Sequence, residues 1–126
     1  MKVREILHGQ PPTATPDESA SSAWDRMHQL RANHLVVLEE GRVAGLVSRE
    51  DLSGPAGGGH RRMGRRVADL MRRDVPTVSP ETDLRRAVAR MRRHALACLP
   101  VVERGRLIGA VTVSDLLVLL ERQLEA

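Results

Sequence analysis

The sequence predicts an α+β fold, α/β-like in its alternation of strands and helices, built from two β-α-β-β-α repeats. Three observations carry that expectation. Sliding the chain against itself by 64 residues superposes it without a gap, with 16 identities over residues 3–52. Each copy holds one amphipathic helical stripe followed by two short apolar runs around a glycine turn. The heptapeptide GLVSRED at residues 45–51 returns as GAVTVSD at residues 109–115.

Each repeat opens on a short apolar piece and then offers a helix start. Thr15 reads as an N-cap, with Pro16 at the first helical position and Glu18 completing a capping box; Ser79 and Pro80 take the first two roles in the second copy. The helix that follows carries an apolar stripe of Ala20, Ala23, Trp24, Met27 and Leu30. Its counterpart is Leu84, Ala87, Val88, Met91 and Ala95, with Arg85, Arg86, Arg90, Arg92 and Arg93 largely off that face.

Next, LVVLEEGRVAGLVS reads as two strands turning at Glu40 and Gly41, and CLPVVERGRLIGAVT as two strands turning at Arg104 and Gly105. Pro100 marks an edge or an irregular start to its strand. A second helix spans residues 114–123, where Leu116, Leu117, Leu119, Leu120 and Leu124 supply apolar contacts. Its first-copy equivalent is cut short after Leu52 by SGPAGGG. Residues 54–66 read as the linker, so the repeats occupy 1–60 and 61–126 and together form one compact module. The stretch SGPAGGGHRR lacks phosphate-loop spacing and reads as a connector or as a segment ordered by a ligand or partner.

Composition narrows the function classes. The formal charge of +4 hides an asymmetry: residues 61–93 hold 11 arginines against Asp69, Asp74, Glu81 and Asp83, a local balance of +7 that leaves −3 elsewhere. Such a cluster suits an anionic partner or is a solvated helix face. Trp24 is the lone aromatic, which argues against nucleic-acid binding by base stacking, and nucleic acid is not the expected partner. No stretch approaches the roughly 18 apolar residues of a membrane span, and MKVREILHGQPPTATP holds no secretory core. A cytoplasmic protein is expected. Cys98 reads as a small buried residue, and His8, His28, His34, His60 and His94 read as surface or helix-end residues without metal-ligand spacing. No catalytic constellation and no metal site are predicted, so the protein is not expected to be an enzyme and requires no cofactor.

The repeated heptapeptide supports two readings. In the first, Gly45 and Gly109 allow close approach, Ser48 and Thr112 bond a phosphate oxygen, and Asp51 and Asp115 accept from a ribose diol at a helix N-terminus. In the second, Ser48 with Asp51 and Thr112 with Asp115 are capping boxes. Arg49 neutralises a phosphate at the first copy, where the second has Val113, or it is a surface residue.

The pattern Gly-apolar-apolar-Ser/Thr-x-x-Asp, closing each of two β-α-β-β-α units, resembles the tandem cystathionine-beta-synthase-type (CBS) domain pair, or Bateman module, over nearly the whole chain. The resemblance implies two repeats packed about a pseudo-twofold axis, with clefts for AMP, ADP, ATP or S-adenosylmethionine as a regulatory ligand. It places Asp51 and Asp115 on ribose and Ser48 and Thr112 on phosphate. The base would lie against residues 12–15 and 35–37 in one copy and 76–79 and 99–101 in the other, including Thr13, Val36, Thr77 and Val101; both valines suit a core equally well. It further implies a homodimer formed through the helices; the paired motifs in a chain with no catalytic constellation point in addition to a separate protein effector. A basic nucleic-acid-associated protein and a ligand-free dimerisation scaffold are the alternatives.

Overall fold

The computed structural model describes residues 1–53 and 62–125. They form two compact units, Pro11–Val75 and Met1–Gln10 with Pro76–Ala126. The glycine-rich stretch lies largely on residues 54–61, outside the described residues.

In the first unit, β1 (Thr13–Ala14) runs parallel to β2 (His34–Glu39), which pairs antiparallel with β3 (Arg42–Ser48). Glu40 and Gly41 turn this hairpin with φ of 53° and 79°, the left-handed pair that a two-residue loop needs to match strand twist. Helix α1 (Ala20–Leu30) buries Ala20, Ala23 and Met27 against the sheet. These side chains join Leu35, Val37, Val47, Leu52, Val67 and Leu70 in one core, with Trp24 half-buried at its edge. Full burial of Met27 contributes on the order of 2 kcal/mol. Leu30 departs from the predicted stripe and is 55% exposed, because it faces away in the last turn. Helices α2 (Arg49–Ser53) and α3 (Val67–Leu70) close the unit. The Arg62 guanidinium lies 4.1 Å over the Trp24 ring and donates to the Leu52 carbonyl at 3.1 Å.

The helix starts differ from the sequence expectation. Helix α1 is capped by Ser19, whose side chain accepts from the Ser22 amide, and α4 (Leu84–His94) by Asp83, which accepts from the Arg85 amide. Residues 15–18 and 79–82 are turns instead, closed by Glu18 N to Thr15 O at 3.3 Å and Thr82 N to Ser79 O at 3.1 Å. The reason is an external demand on their carbonyls. Pro16 O and Glu18 O accept from the Ala68 and Val67 amides, the orphan donors at the start of α3, while Ala20 N donates to Arg65 O.

The second unit repeats this device with the other end of the chain. A 3-10 turn, Val3–Ile6, stands where α3 stands in the first unit. Val3 N donates to Thr82 O and Arg4 N to Pro80 O, both at 2.9 Å, and Leu84 N donates to Met1 O. Each repeat's opening segment is thus fastened to the other repeat's turn.

Strands β4 (Cys98–Glu103) and β5 (Arg106–Thr112) form a hairpin over Arg104 and Gly105. Here the counterpart of β1 shrinks to a single bridge between Val78 and Val101. Pro100 explains the loss: in the first unit the matching Val36 donates its amide to Pro12 O at 3.1 Å, and proline has no such donor. Ala95, predicted on the apolar stripe of α4, is exposed and ends that helix at φ 53°. Helix α5 (Val113–Glu125) holds no buried residue; Leu117, Val118, Leu120 and Leu124 are exposed rather than in contact with a core.

Candidate functional site

At the β3 to α2 junction, Ser48 N donates to Asp51 Oδ2 at 2.9 Å and Asp51 N donates to Ser48 Oγ at 3.1 Å. At the β5 to α5 junction, Thr112 N donates to Asp115 Oδ2 at 2.9 Å and Asp115 N to Thr112 Oγ1 at 3.1 Å. The capping-box geometry is therefore present in both copies. It engages one oxygen of each carboxylate. Among the described residues, Asp51 Oδ1 carries no hydrogen bond, whereas Asp115 Oδ1 lies 3.5 Å from His8 Nε2.

The glycines serve the chain's own packing. A Cβ on Gly45 would collide with the Arg72 carbonyl, because Leu46 and Arg72 form an antiparallel bridge across that position. A Cβ on Gly109 would meet Leu7 Cδ2 at 2.9 Å and Gly9 O at 3.5 Å. Close approach is what both glycines permit, and segments 71–72 and 7–9 make that approach.

Arg49 is half-buried and turned inward: Nη2 donates to the Ala32 carbonyl at 3.2 Å, while the buried Nε has no partner among the described residues. Val113 in the second unit is 42% exposed.

Thr13 and Thr77 are partly buried, and each gives its carbonyl to an arginine: Arg26 Nη2 to Thr13 O at 2.7 Å, Arg90 Nη1 to Thr77 O at 2.8 Å. Arg26 also forms a two-pronged pair with Glu18. Burial would raise the Glu18 carboxyl, but the bonds and charge of Arg26, with Ser22 and the Thr15 backbone, hold it below its ordinary value. The repeated Arg-Met pair at 26–27 and 90–91 was the visible signal for this role. Val36 and Val101 are 1% and 0% exposed, seated in their strands as core residues.

Two titratable neighbours escape a motif reading. His34 pairs across the sheet with Ser48, and Cys98 holds the same register opposite Thr112. Cross-strand partners present their side chains on one face, so an imidazole and a thiol occupy matching places in the two copies. Burial holds His34 below the ordinary histidine range, with Asp51 and Glu50 drawing it partway back. Its half-buried strand position corrects the surface assignment. Burial and the nearby Asp115 push the Cys98 thiol up to about 12. Among the described residues no cluster of His, Cys, Asp and Glu could hold a metal ion, and no helix is long and apolar enough to cross a membrane.

The family model described as CBS domain matches residues 3–54 and 67–122. Homoserine O-acetyltransferase of Methanocorpusculum labreanum is 30% identical over 122 residues, covering 96% of this chain and 24% of that protein. The chain spans about a quarter of the length of that relative. The CBS domain-containing protein YhcV of Bacillus subtilis is 25% identical over 116 residues, covering 92% of this chain and 83% of that one. A CBS domain pair solved in complex with 5′-methylthioadenosine and S-adenosyl-L-methionine superposes with a TM-score of 0.83 at 22% identity, covering 98% of each chain. That last likeness is one of fold.

Proposed function

The chain belongs to the CBS domain family, and we propose that the two repeats, 1–60 and 61–126, act as one regulatory module for an adenosine-containing ligand. The observation that carries this reading is the pair of boxed carboxylates. Asp51 and Asp115 are held at equivalent strand-to-helix junctions through Oδ2, which presets each side chain; Oδ1 is then the atom that accepts from a ribose diol, with no described partner at Asp51 and with His8 beside it at Asp115. In this reading Ser48 and Thr112 border the phosphate or other 5′ substituent, and the segments carrying Thr13, Val36, Thr77 and Val101 border the base. Binding alters the module's conformation or assembly, and a separate protein effector responds.

Assembly has its own support. A groove of about 600 Å³ between α4 and α5 is lined by Met1, Leu84, Val88, Leu116, Leu119 and Leu120, and Leu117, Val118 and Leu124 of α5 are also exposed. A second copy of this chain would cover that face.

Calorimetric titration with AMP, ADP, ATP and S-adenosylmethionine tests the ligand reading. Saturable binding weakened by Asp51→Ala or Asp115→Ala supports it. Binding indifferent to both substitutions, or no binding across the panel, reduces the motifs to helix caps.

A further inference from the structure

Both oxygens of Asp115 are engaged, whereas Asp51 has a described partner on one. Thr112 N holds Oδ2 at 2.9 Å, and His8 Nε2 stands 3.5 Å from Oδ1. His8 reaches this position on a segment pinned on both sides. Leu7 packs over Gly109, and Gln10 Nε2 donates to the Leu107 carbonyl at 2.6 Å. The His8 side chain itself is 79% exposed, so it can swing off by a rotamer change while the backbone stays pinned. The first unit differs at the matching place, residue 72, where an arginine has its amide and carbonyl both bonded to Leu46.

We propose that His8 is a proton-operated strap over the second unit's aspartate, and that a ribose diol reaches Asp115 only when His8 moves away. This rests on the reading of Asp115 as a ribose-binding group. A charged imidazole pairs with the carboxylate and holds the strap down; a neutral one releases it. Along the strap's own segment the nearest charged residues are Arg4 and Glu5. Leu7, Gly9 and Gln10 of the segment are uncharged, Asp115 is the acid of the first turn of α5, and the Cys98 thiol on β4 stays neutral. Glu103 and Arg106 pair at the far end of the β4 and β5 hairpin.

The direction of the effect is diagnostic. Lower pH should weaken binding at this site, opposite to the gain that added positive charge gives an anionic ligand. The test uses 5′-methylthioadenosine, which has no phosphate to titrate, and the full chain carrying Asp51→Ala so that the second unit alone reports. Affinity is measured between about pH 8 and about pH 5.5, the span in which histidine changes charge. The strap predicts affinity falling roughly two- to fivefold toward low pH, as suits an exposed ion pair. It also predicts a flat profile, at or above the high-pH affinity, for His8→Ala and His8→Gln. Binding that needs Asp115 but ignores His8 overturns the strap alone. Affinity that rises at low pH through His8 makes it a ligand-contacting cation and also overturns it. Absence of any binding that Asp115→Ala alters removes the ligand reading of this site and the strap with it.

Discussion

Leu46 and Arg72 exchange two backbone hydrogen bonds, Leu46 N to Arg72 O at 3.0 Å and Arg72 N to Leu46 O at 2.7 Å, directly beside the α-carbon of Gly45. Any side chain at residue 45 pushes these two segments apart. Gly45→Ala should therefore destabilise the protein by about 1–3 kcal/mol, the range of overpacking against a rigid neighbour. Gly109→Ala meets the flexible tip of Leu7 and should lose less. Equal urea midpoints for the two variants would contradict this account of the glycines.

Replacing Asp115 or Asp51 by Asn separates cap from ligand. One amide oxygen remains to accept from the Thr112 or Ser48 backbone, so the stability loss should stay under about 1 kcal/mol. The charged acceptor for ribose is gone, so affinity should fall at least about tenfold at that site. A variant that melts early yet binds normally would assign these residues to folding alone.

Glu18 ties acid stability to Arg26. Its carboxyl titrates lower in the folded protein than in the unfolded chain, so its contribution is complete above about pH 4.3, the ordinary glutamate value. It is lost as pH falls through the lower folded value. Urea midpoints of the parent and Glu18→Gln should differ near neutrality and converge in acid; parallel curves down to the lowest pH would dismiss the linkage.

His34 works with the opposite group charge but the same slope. Burial keeps it neutral in the fold, so the unfolded chain binds the proton first and stability declines as pH drops below about 6.5. The decline ends at the lower folded value. His34→Gln should remove that part of the pH dependence, and a slope unchanged by the substitution would show that His34 does not cause it.

Cys98 should be chemically silent in the folded state. With its thiol pushed up to about 12, the thiolate fraction at neutral pH is negligible. Reaction with a thiol reagent should proceed only at the rate of opening and should accelerate in step with urea unfolding. Rapid labelling of native protein would mean that β4 is far more accessible than its 3% exposure indicates.

Local chemistry made most of the elements legible. Glu40-Gly41 and Arg104-Gly105 announced their hairpins, the 3.6-residue stripes announced α1 and α4, and the 64-residue offset announced the repeat. The helix starts are not legible locally: the caps are Ser19 and Asp83, while Pro16 and Pro80 look like first-turn prolines when read alone. Their carbonyls are claimed by α3 and by the segment at residues 3–4, partners far away along the chain that no local pattern reveals. The packing at Gly45 is hidden from sequence for the same reason: it depends on Arg72, 27 positions onward. The Ser48 and Asp51 box was legible from spacing, whereas the placement of His34 opposite Ser48 follows from strand register, and that of His8 beside Asp115 from the crossing of the opening segments.

That crossing also sets an order of events on the ribosome. Residues 11–75 are made as one uninterrupted stretch, and that stretch is the whole of one unit. Residues 1–10 are made earlier still, but the unit they complete is finished only when residues 76–126 have followed. At ordinary elongation speeds that is an interval on the order of ten seconds. During it, Val3, fully buried in the finished protein, has no partner. Residues 1–10 therefore wait, with the whole of residues 11–75 made in between, for the chain that shelters them, and a chaperone or a protease has that interval in which to find them.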